Sequence, residues 1–414
     1  MNMRRLLLSV LLAAPLLLAD DDFYLKPGDR VVFYGDSITD QRLYTTFTET
    51  FVLTRFPTLD VSFTHSGWGG DRVGGGGGGP IDLRLERDVF PYRPTVVTIM
   101  LGMNDGSYRA FDQTLFDNYS RGFEHIVQSL KEHLPGVRIT AIEPSPYDDI
   151  TREPLFPGGY NAVLARYSQY LRELAKKEHL QDADLNTPVV ENLHRANARD
   201  PQNAAKLLPD RVHPAPAGHL LMSEALLKAW NAPALVSSVS IDAAEGKVAD
   251  SKKAAVTNVK TEGGLSWDAL ENSLPMALDF KDRLLRLALD SSDYLDALDR
   301  EELKVSGLKP GRYALKIDDV TAGTWSADEL SQGVNLAPID TPMLRQALDV
   351  HALTLQRTNV HNFRWRNMQV PMAKDNFASK EKAMADLDQL DTEIAAKQRL
   401  AAQPRTHHFE LAAQ

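Results

Sequence analysis

From residue 27 to residue 234 short apolar segments alternate with longer segments of helical periodicity, and this alternation restricts the fold more than any other feature. The strand-like segments are residues 30–34, 61–65, 95–101 and 137–142. The helix-like segments are residues 43–56, 81–89, 115–133, 160–179 and 216–230. Strands that alternate with helices are typical of a parallel sheet covered on both faces. We therefore predict an α/β fold of three layers, with functional loops at the carboxyl ends of its strands.

The second half of the chain has a different pattern. Residues 235–262 are rich in Ser, Ala, Lys and Asp and poor in large apolar residues, which predicts a linker or an exposed excursion. Residues 263–414 recover a core-forming pattern and predict an α+β region. Its expected elements are a mostly helical stretch at 265–298, a hairpin of 303–305 with 313–317, a strand at 324–325, and helices at 341–355 and 378–400. Its role is open between a lid, a module for polymeric substrates and a dimerisation surface.

The first nineteen residues have the composition of a secretory signal peptide. Arg4 and Arg5 precede the apolar residues 6–18, and Ala19 is followed by three consecutive aspartates. An uncleaved membrane anchor is the alternative, but the apolar run is shorter than the roughly 20 residues that span a bilayer. We therefore predict cleavage near Ala19 and a periplasmic or extracellular mature protein without stable membrane insertion.

The net charge and the absence of cysteine limit which ligands and partners the protein can bind. The net charge is −10, and removal of the two arginines with the predicted signal peptide makes it −12. Such a surface repels polyanions, so nucleic acid is not an expected partner. The chain has no cysteine, which excludes disulfides and thiolate metal sites. The sequence does not determine the oligomeric state.

Two glycine-containing turns follow the first two predicted strands. In residues 35–37 (Gly-Asp-Ser), a strand-to-helix turn would expose the hydroxyl of Ser37 beside free backbone N–H groups, as a nucleophile requires. In residues 67–70 (Gly-Trp-Gly-Gly), the backbone of Gly70 can approach a developing oxyanion closely. The glycines at 74–79 are costly to order, so they predict either tight packing or mobility.

Two further polar motifs follow later in the same half. Asn104 lies in residues 102–105 (Gly-Met-Asn-Asp), directly after the most apolar strand, and its amide can donate to the same oxyanion. Asp210 precedes His213 by three residues, so its carboxylate can accept Nδ1–H and leave Nε2 free to take a proton from a serine. Alone, the Gly-Asp-Ser and Asp-x-x-His motifs are each more typical of an ordinary turn than of a catalytic site.

Taken together, the four motifs resemble the SGNH/GDSL hydrolase family in residue type, order and placement, over about residues 26–234. The resemblance implies a flavodoxin-like sheet and a serine esterase that needs no metal or organic cofactor. Its implied catalytic residues are Ser37 as nucleophile, His213 as base and Asp210 as the group that orients the base. Its implied oxyanion hole consists of the N–H groups of Ser37 and Gly70 and the side-chain amide of Asn104.

Two positions depart from the family pattern. Ile38 replaces the leucine of the motif name, and His65 stands where the family often has asparagine. We expect His65 to support its loop by hydrogen bonding, and we expect His219 to be structural because a second base is not needed. In the C-terminal region, residues 362–366 and the pair at 407–408 are expected to pack or cap, since no nucleophile accompanies them.

Four residues beside these motifs are possible substrate contacts: Asp36, Trp68, Asp71 and Asp105. Trp68 fits a sugar platform or an acyl-pocket wall as well as it fits simple packing. The three aspartates could suggest a metal site, but support of the loops is the better interpretation, because a metal would leave Ser37 and His213 without a role.

The sequence therefore predicts an exported esterase that acts on a small-molecule or polysaccharide ester, with O-acetyl groups on carbohydrate as the favoured substrate. Two alternatives stay open: a lysophospholipase or thioesterase, and a catalytically silent carbohydrate-binding protein on the same scaffold. Because the imidazole base must be neutral, activity is expected to fall below about pH 6 to 7.

Overall fold

The computed structural model describes residues 22–414, so the predicted signal peptide at 1–19 lies outside the described residues. In the N-terminal half, five strands form a parallel sheet in the order β2-β1-β5-β6-β7. These strands are β1 Arg30–Gly35, β2 Ser62–Gly67, β5 Val96–Met100, β6 Arg138–Ile142 and β7 Gln181–Ala183. Two short strands, β3 Gly75–Gly76 and β4 Gly79–Pro80, pair with each other beside it.

Helices cover this sheet. They are α1 Ser37–Asp40, α2 Leu43–Arg55, α3 Ile81–Asp88, α4 Gln113–His133, α5 Gly159–Glu178, α6 Thr187–Arg199, α7 Pro201–Ala204 and α8 Pro216–Ala229, with a 3₁₀ turn at Phe90–Tyr92. Helix α8 packs against α2 and α6, whereas α4 packs against α5. Strand β5 is buried at every position, as expected for a central strand covered on both faces. The predicted three-layer α/β fold is confirmed.

The C-terminal half adds two more sheets, of order β10-β11-β16-β13-β14 and β15-β12-β8-β9. Their strands are β8 Leu235–Asp242, β9 Lys247–Lys252, β10 Ala254–Lys260, β11 Leu265–Glu271, β12 Arg300–Ser306, β13 Arg312–Ile317, β14 Val320–Ser326, β15 Val334–Asn335 and β16 Thr406–Ala413. The helices are α9 Arg283–Asp290, α10 Tyr294–Leu298, α11 Ala327–Gln332, α12 Pro342–Asn362 and α13 Ala378–Ala401, with a π-helix at Phe363–Gln369. Apolar side chains of both sheets, such as Val305 and Trp267, share one core.

Three expectations for this half are wrong. Residues 235–262 form β8, β9 and β10 and are not a linker; β9 and β10 are largely exposed sheet edges, which explains their polar composition. Residues 265–298 begin with a strand, β11, before the short helices α9 and α10. Strands β12 and β13 do not form a hairpin, because β12 pairs with β8 and β15 whereas β13 pairs with β14 and β16.

Helices α12 and α13 form an antiparallel pair that packs on the N-terminal half through a buried polar network. Glu49 of α2 is its centre, and its carboxylate accepts hydrogen bonds from Arg357 at 2.8 Å and Gln398 at 3.2 Å. Arg357 also donates to the carbonyl of Phe63 in β2 at 2.7 Å. If the helix pair moved away, it would leave the buried charge of Glu49 without its guanidinium partner, which is energetically costly. This network therefore fixes the helix pair on the edge of the parallel sheet.

Candidate active site

Ser37, His213 and Asp210 form one hydrogen-bonded row. Nε2 of His213 lies 2.8 Å from Oγ of Ser37, and Nδ1 lies 2.7 Å from Oδ2 of Asp210. An imidazole that donates from Nδ1 to a carboxylate presents the Nε2 lone pair to the serine hydroxyl. The side chains of His213 and Asp210 are 35% and 55% exposed, so solvent reaches the row.

The nucleophile candidate lies where β1 turns into α1. Asp36 caps this helix, and its Oδ1 accepts the N–H of Ile38 at 3.0 Å. Ser37 is therefore the first residue of the helix, half-buried, with its hydroxyl directed to His213. The neighbouring strand β2 reaches the same point at Gly67, where a Cβ atom would lie 2.2 Å from the amide nitrogen of Asp40. Only glycine allows this approach of the two turns.

The turn from Asp210 to His213 is held from two sides. Within it, Oδ1 of Asp210 accepts the backbone N–H groups of Val212 and His213 at 3.0 and 2.7 Å. Burial acts to raise the pKa of Asp210, but these bonds and the imidazole outweigh it, so the pKa lies below its usual value. From outside, Arg152 donates to the carbonyls of Ala205, Leu208 and Pro209. Arg152 therefore anchors the segment that leads into the turn.

The predicted oxyanion donors lie at the ends of strands that flank β1. Gly35 is in register with Gly67 of β2 on one side and Met100 of β5 on the other, so all three turns start at one level. A Cβ atom on Gly69 would lie 3.9 Å from Cβ of Ser37, which places the second turn against the nucleophile. Gly70 is exposed and has φ +77°, a conformation suited to glycine.

Asn104 is oriented by two hydrogen bonds. Its Nδ2 donates to the carbonyl of Asp71 at 2.9 Å, and its Oδ1 accepts the hydroxyl of Tyr108 at 2.9 Å. A side-chain amide has two N–H donors, so one stays available for an oxyanion. Sequence reasoning missed Tyr108, which is 38% exposed and has φ +54°, because a left-handed tyrosine leaves no pattern in the sequence.

The three aspartates proposed as substrate contacts are buried. Asp36, Asp71 and Asp105 are at most 6% exposed. Burial raises the pKa of Asp36 to about 7 and that of Asp105 to about 6. Asp71 bonds Arg84 at 2.7 Å, and Asp105 accepts the N–H of Val73 at 3.0 Å. These contacts agree with the alternative that the aspartates support the loops.

Trp68 and the two histidines also have protein partners. One face of Trp68 is covered by the guanidinium of Arg366, whose Cζ is 3.5 Å from the ring centroid, which favours packing over a sugar platform. His65 contacts Glu49 and Thr45 at 3.0 and 2.8 Å and so supports its strand. Burial lowers the pKa of His219 to about 3, and this neutral ring contacts Gln41 at 2.7 Å. Both histidines are structural, as expected.

Two further features of the described residues concern metal binding and membrane insertion. Among residues 22–414, no group of three or more His, Asp or Glu side chains is placed to hold a metal ion. In the same part of the chain, the helices are too short or too polar to cross a bilayer.

Comparison with known proteins agrees with this geometry. The model of the GDSL-like lipase/acylhydrolase family matches residues 33–221. Residues 33–221 are therefore similar to a GDSL-like lipase/acylhydrolase domain. An acetylxylan esterase of Geobacillus stearothermophilus is 24% identical over 226 residues, which cover 49% of this chain and 93% of that esterase. The solved structure of a gut microbial diltiazem-metabolizing enzyme is 26% identical, with a TM-score of 0.81, and covers 94% of this chain and 98% of that one.

The similarity to the GDSL-like family and to the acetylxylan esterase indicates the reaction class. The chain is a serine carboxylic ester hydrolase, as the sequence motifs predicted. The similarity to the diltiazem-metabolizing enzyme spans nearly the whole chain, so the combination of this domain with the C-terminal sheets and helices recurs in another enzyme.

Replacement of Asn104 by alanine is expected to lower kcat of this esterase by about two to three orders of magnitude, because one oxyanion donor is lost. KM for p-nitrophenyl acetate should change little, since the ground-state ester makes weaker use of that donor. The matched control is Asn118→Ala, which removes an exposed asparagine of α4 whose Oδ1 accepts a hydrogen bond from Arg121. Equal kcat values for the two variants would show that Asn104 is not an oxyanion donor.

Proposed function

We propose that this esterase is exported and removes O-acetyl groups from carbohydrates through an acyl-serine intermediate on Ser37. The main support for this reaction is the hydrogen-bonded row, in which Nε2 of His213 lies 2.8 Å from Oγ of Ser37. The acetylxylan esterase relative, which this chain matches over 93% of its length, supports the carbohydrate ester. Arg4, Arg5 and the apolar residues 6–18 support export.

The first half of the reaction is acylation. Oγ of Ser37 attacks the carbonyl carbon of the ester while Nε2 of His213 takes the hydroxyl proton. Asp210 stabilises the imidazolium that forms, through its 2.7 Å contact with Nδ1. The negative charge on the carbonyl oxygen is met by the N–H groups of Ser37 and Gly70 and by the amide of Asn104. The imidazolium then protonates the departing sugar oxygen, and the acetyl group stays on the serine.

The second half repeats these steps with water in place of the sugar. His213 takes a proton from water, the hydroxide attacks the acetyl carbonyl, and the same donors stabilise the second tetrahedral intermediate. Collapse of this intermediate returns the proton to Oγ of Ser37 and releases acetate. His213 carries the proton in each transfer, and the net reaction converts the ester and one water into the sugar hydroxyl and acetic acid, which ionises to acetate in solution.

The solvent exposure of the catalytic row favours an ester substrate with a large alcohol group. His213 and Asp210 are 35% and 55% exposed, and the exposed face of Tyr108 lies beside Asn104. A polysaccharide chain can reach such a row, and a tyrosine ring offers the flat apolar surface on which sugar rings stack. These features favour an acyl group on a bulky, polar alcohol over an acyl chain enclosed in an apolar channel.

The test compares substrates with one purified enzyme, the chain without residues 1–19. Acetate release from acetylated xylan and its oligosaccharides is expected, together with faster cleavage of p-nitrophenyl acetate than of the butyrate and octanoate esters. Ser37→Ala is the control for both assays. A preference for octanoate would favour the lipid-directed alternative, and unchanged sugar binding without hydrolysis would favour the silent carbohydrate-binding alternative. For export, the N-terminus of the protein secreted from the full chain is expected near Asp20.

A second candidate rests on the whole-chain structural match. Because the relative of TM-score 0.81 is a diltiazem-metabolizing enzyme, a small drug-like molecule is a further possible substrate class. Incubation with diltiazem, followed by mass spectrometry of the products, tests this class directly. Conversion of diltiazem without release of acetate from any acetylated sugar would replace the carbohydrate proposal.

A further inference from the structure

The second turn of the active site is packed against the C-terminal region at Trp68. Arg366 of the π-helix lies over the Trp68 ring, with 3.5 Å from Cζ to the centroid, and Trp365 meets the ring edge-on at 5.6 Å. On the glycine-rich side, a Cβ atom on Gly78 would lie 2.7 Å from Cδ2 of Trp68. Of the glycines at 74–79, Gly77 and Gly78 therefore pack against this indole, whereas a Cβ atom on Gly74 would meet nothing within 4 Å.

A buried arginine connects Trp365 to the loop that follows Gly70. Arg84 is fully buried, and its guanidinium donates to Asp71 at 2.7 Å, to the carbonyl of Ser66 at 2.9 Å, and to Asp88. Nε1 of Trp365 donates to Oδ1 of the same Asp88 at 2.6 Å. Since one guanidinium holds both carboxylates, displacement of Trp365 disturbs the support of Asp71.

Asp71 connects Arg84 to the two predicted oxyanion donors, Gly70 and Asn104. It is the residue next to Gly70, and its carbonyl accepts Nδ2 of Asn104 at 2.9 Å. Arg366 acts on the other end of the same turn, where Nη1 lies 3.5 Å from the carbonyl of Gly67 and 3.3 Å from Oδ1 of Asp40. Both ends of the turn that contains Gly70 are therefore bonded, directly or through Arg84, to the C-terminal region.

The helix pair that presents Trp365 and Arg366 is itself fixed. Besides the bonds of Arg357 to Glu49, Gln398 donates to Thr354 at 2.6 Å and joins α13 to α12. His351 of α12 contacts Thr50 of α2 at 2.8 Å. A support anchored in this way can hold a loop to within the fraction of an ångström that catalysis requires.

We infer that the C-terminal region completes the active site: Trp365 and Arg366 are positioning residues that hold the Gly70 turn and Asn104 in the geometry of the oxyanion hole. The region is thus neither a separate binding module nor a mobile lid at this contact. This inference rests on the proposed role of Gly70 and Asn104 as oxyanion donors. It does not depend on which ester is the natural substrate.

The central experiment compares Arg366→Ala with Arg399→Ala in the full mature chain. Arg399 belongs to α13 of the same helix pair, but its partner Asp60 lies on the surface away from the row. We expect Arg366→Ala to lower kcat on p-nitrophenyl acetate by about 10- to 100-fold, the loss that follows a misplacement of about 1 Å, with KM within about twofold. Arg399→Ala should keep the wild-type kcat and KM.

A transition-state analogue separates positioning from a merely structural role. A boronic acid adds to the serine hydroxyl and forms a tetrahedral anion, so its affinity depends on the oxyanion donors. We expect its inhibition constant to rise with Arg366→Ala in proportion to the fall in kcat. Arg366→Lys should restore only part of both values, because an ammonium group lacks the planar surface that stacks on Trp68. Trp365→Phe should lower kcat by about tenfold through loss of the bond to Asp88.

Three results would overturn the inference. One is a wild-type kcat and boronate affinity in the folded Arg366→Ala and Trp365→Phe variants. Another is a fall in kcat that only follows the loss of folded protein, as measured by thermal unfolding. The third is a rise in KM with kcat unchanged, which would make Arg366 a substrate contact. If wild-type enzyme cleaves p-nitrophenyl acetate but no acetylated sugar, the carbohydrate proposal fails and this test still decides the inference.

Discussion

The Ser37→Ala variant is expected to lose about four to six orders of magnitude in kcat on p-nitrophenyl acetate. Without Oγ no acyl intermediate forms, and the residual rate reflects only water attack assisted by the oxyanion donors. The fold should be unaffected, because Asp36 rather than Ser37 caps α1 and the serine hydroxyl bonds His213. The midpoint of thermal unfolding should therefore match that of the wild type.

A labelling experiment identifies the nucleophile independently of turnover. A fluorophosphonate reacts with an activated serine, with loss of fluoride, and adds its mass to that residue. We expect one labelled peptide, containing Ser37, and none in Ser37→Ala. Ser331→Ala, which changes a partly exposed serine of α11, is the matched control and should keep both labelling and turnover. Labelling of another serine, or turnover retained in Ser37→Ala, would refute this assignment.

The parallel sheet and the catalytic row could be predicted because their signals are local. Each of the first three motifs directly follows a strand, and parallel strands bring their carboxyl ends to one edge of the sheet. The register of Gly35 with Gly67 and Met100 shows how this happens in three dimensions. The imidazole and carboxylate come from one short turn, so their mutual spacing was also readable from the sequence.

The C-terminal sheets were less predictable because their pairing is distant in the chain. Strand β8 pairs in parallel with β12, and β16 at the end of the chain is inserted between β11 and β13. In an exposed edge strand such as β9, lysine and aspartate protect the edge from further pairing, but the same residues are typical of a linker. Local composition therefore could not separate the two interpretations.

The residues that hold the active-site turns in place could not be predicted for a related reason. Arg152 and Arg366 act through contacts with residues far away in sequence, namely the segment before Asp210 and the indole of Trp68. Tyr108 lies only four residues from Asn104, but its contact depends on the left-handed backbone of the tyrosine, which the sequence does not indicate. Residues 362–366 were expected to pack or cap, which is what Trp365 does. Only the folded chain shows that the packing partner is a turn of the active site.

The His213→Ala variant should lose about as much activity as Ser37→Ala, because both residues act in the same proton transfer. In the wild type, acid should lower the rate, because only a neutral imidazole can accept the serine proton. The residual rate of the variant should lack this fall. Added imidazole should restore part of the activity if it reaches the space left beside Oγ of Ser37. His194→Ala, on the exposed surface of α6, is the matched control and should keep the wild-type profile.

The sign of the pH response distinguishes His213 from the two buried carboxyls next to Ser37 and Asn104 in the chain, those of Asp36 and Asp105. Burial raises the pKa of Asp36 to about 7 and that of Asp105 to about 6, so both carboxyls lose their protons near neutral pH. Their ionisation as the pH rises adds negative charge beside the oxyanion and therefore lowers the rate, whereas deprotonation of the imidazole increases it. A rise in rate with pH that persists in His213→Ala would assign the base to another residue. A fall above pH 7 that persists in the variant would instead be the expected signature of Asp36, and Asp36→Asn should remove it.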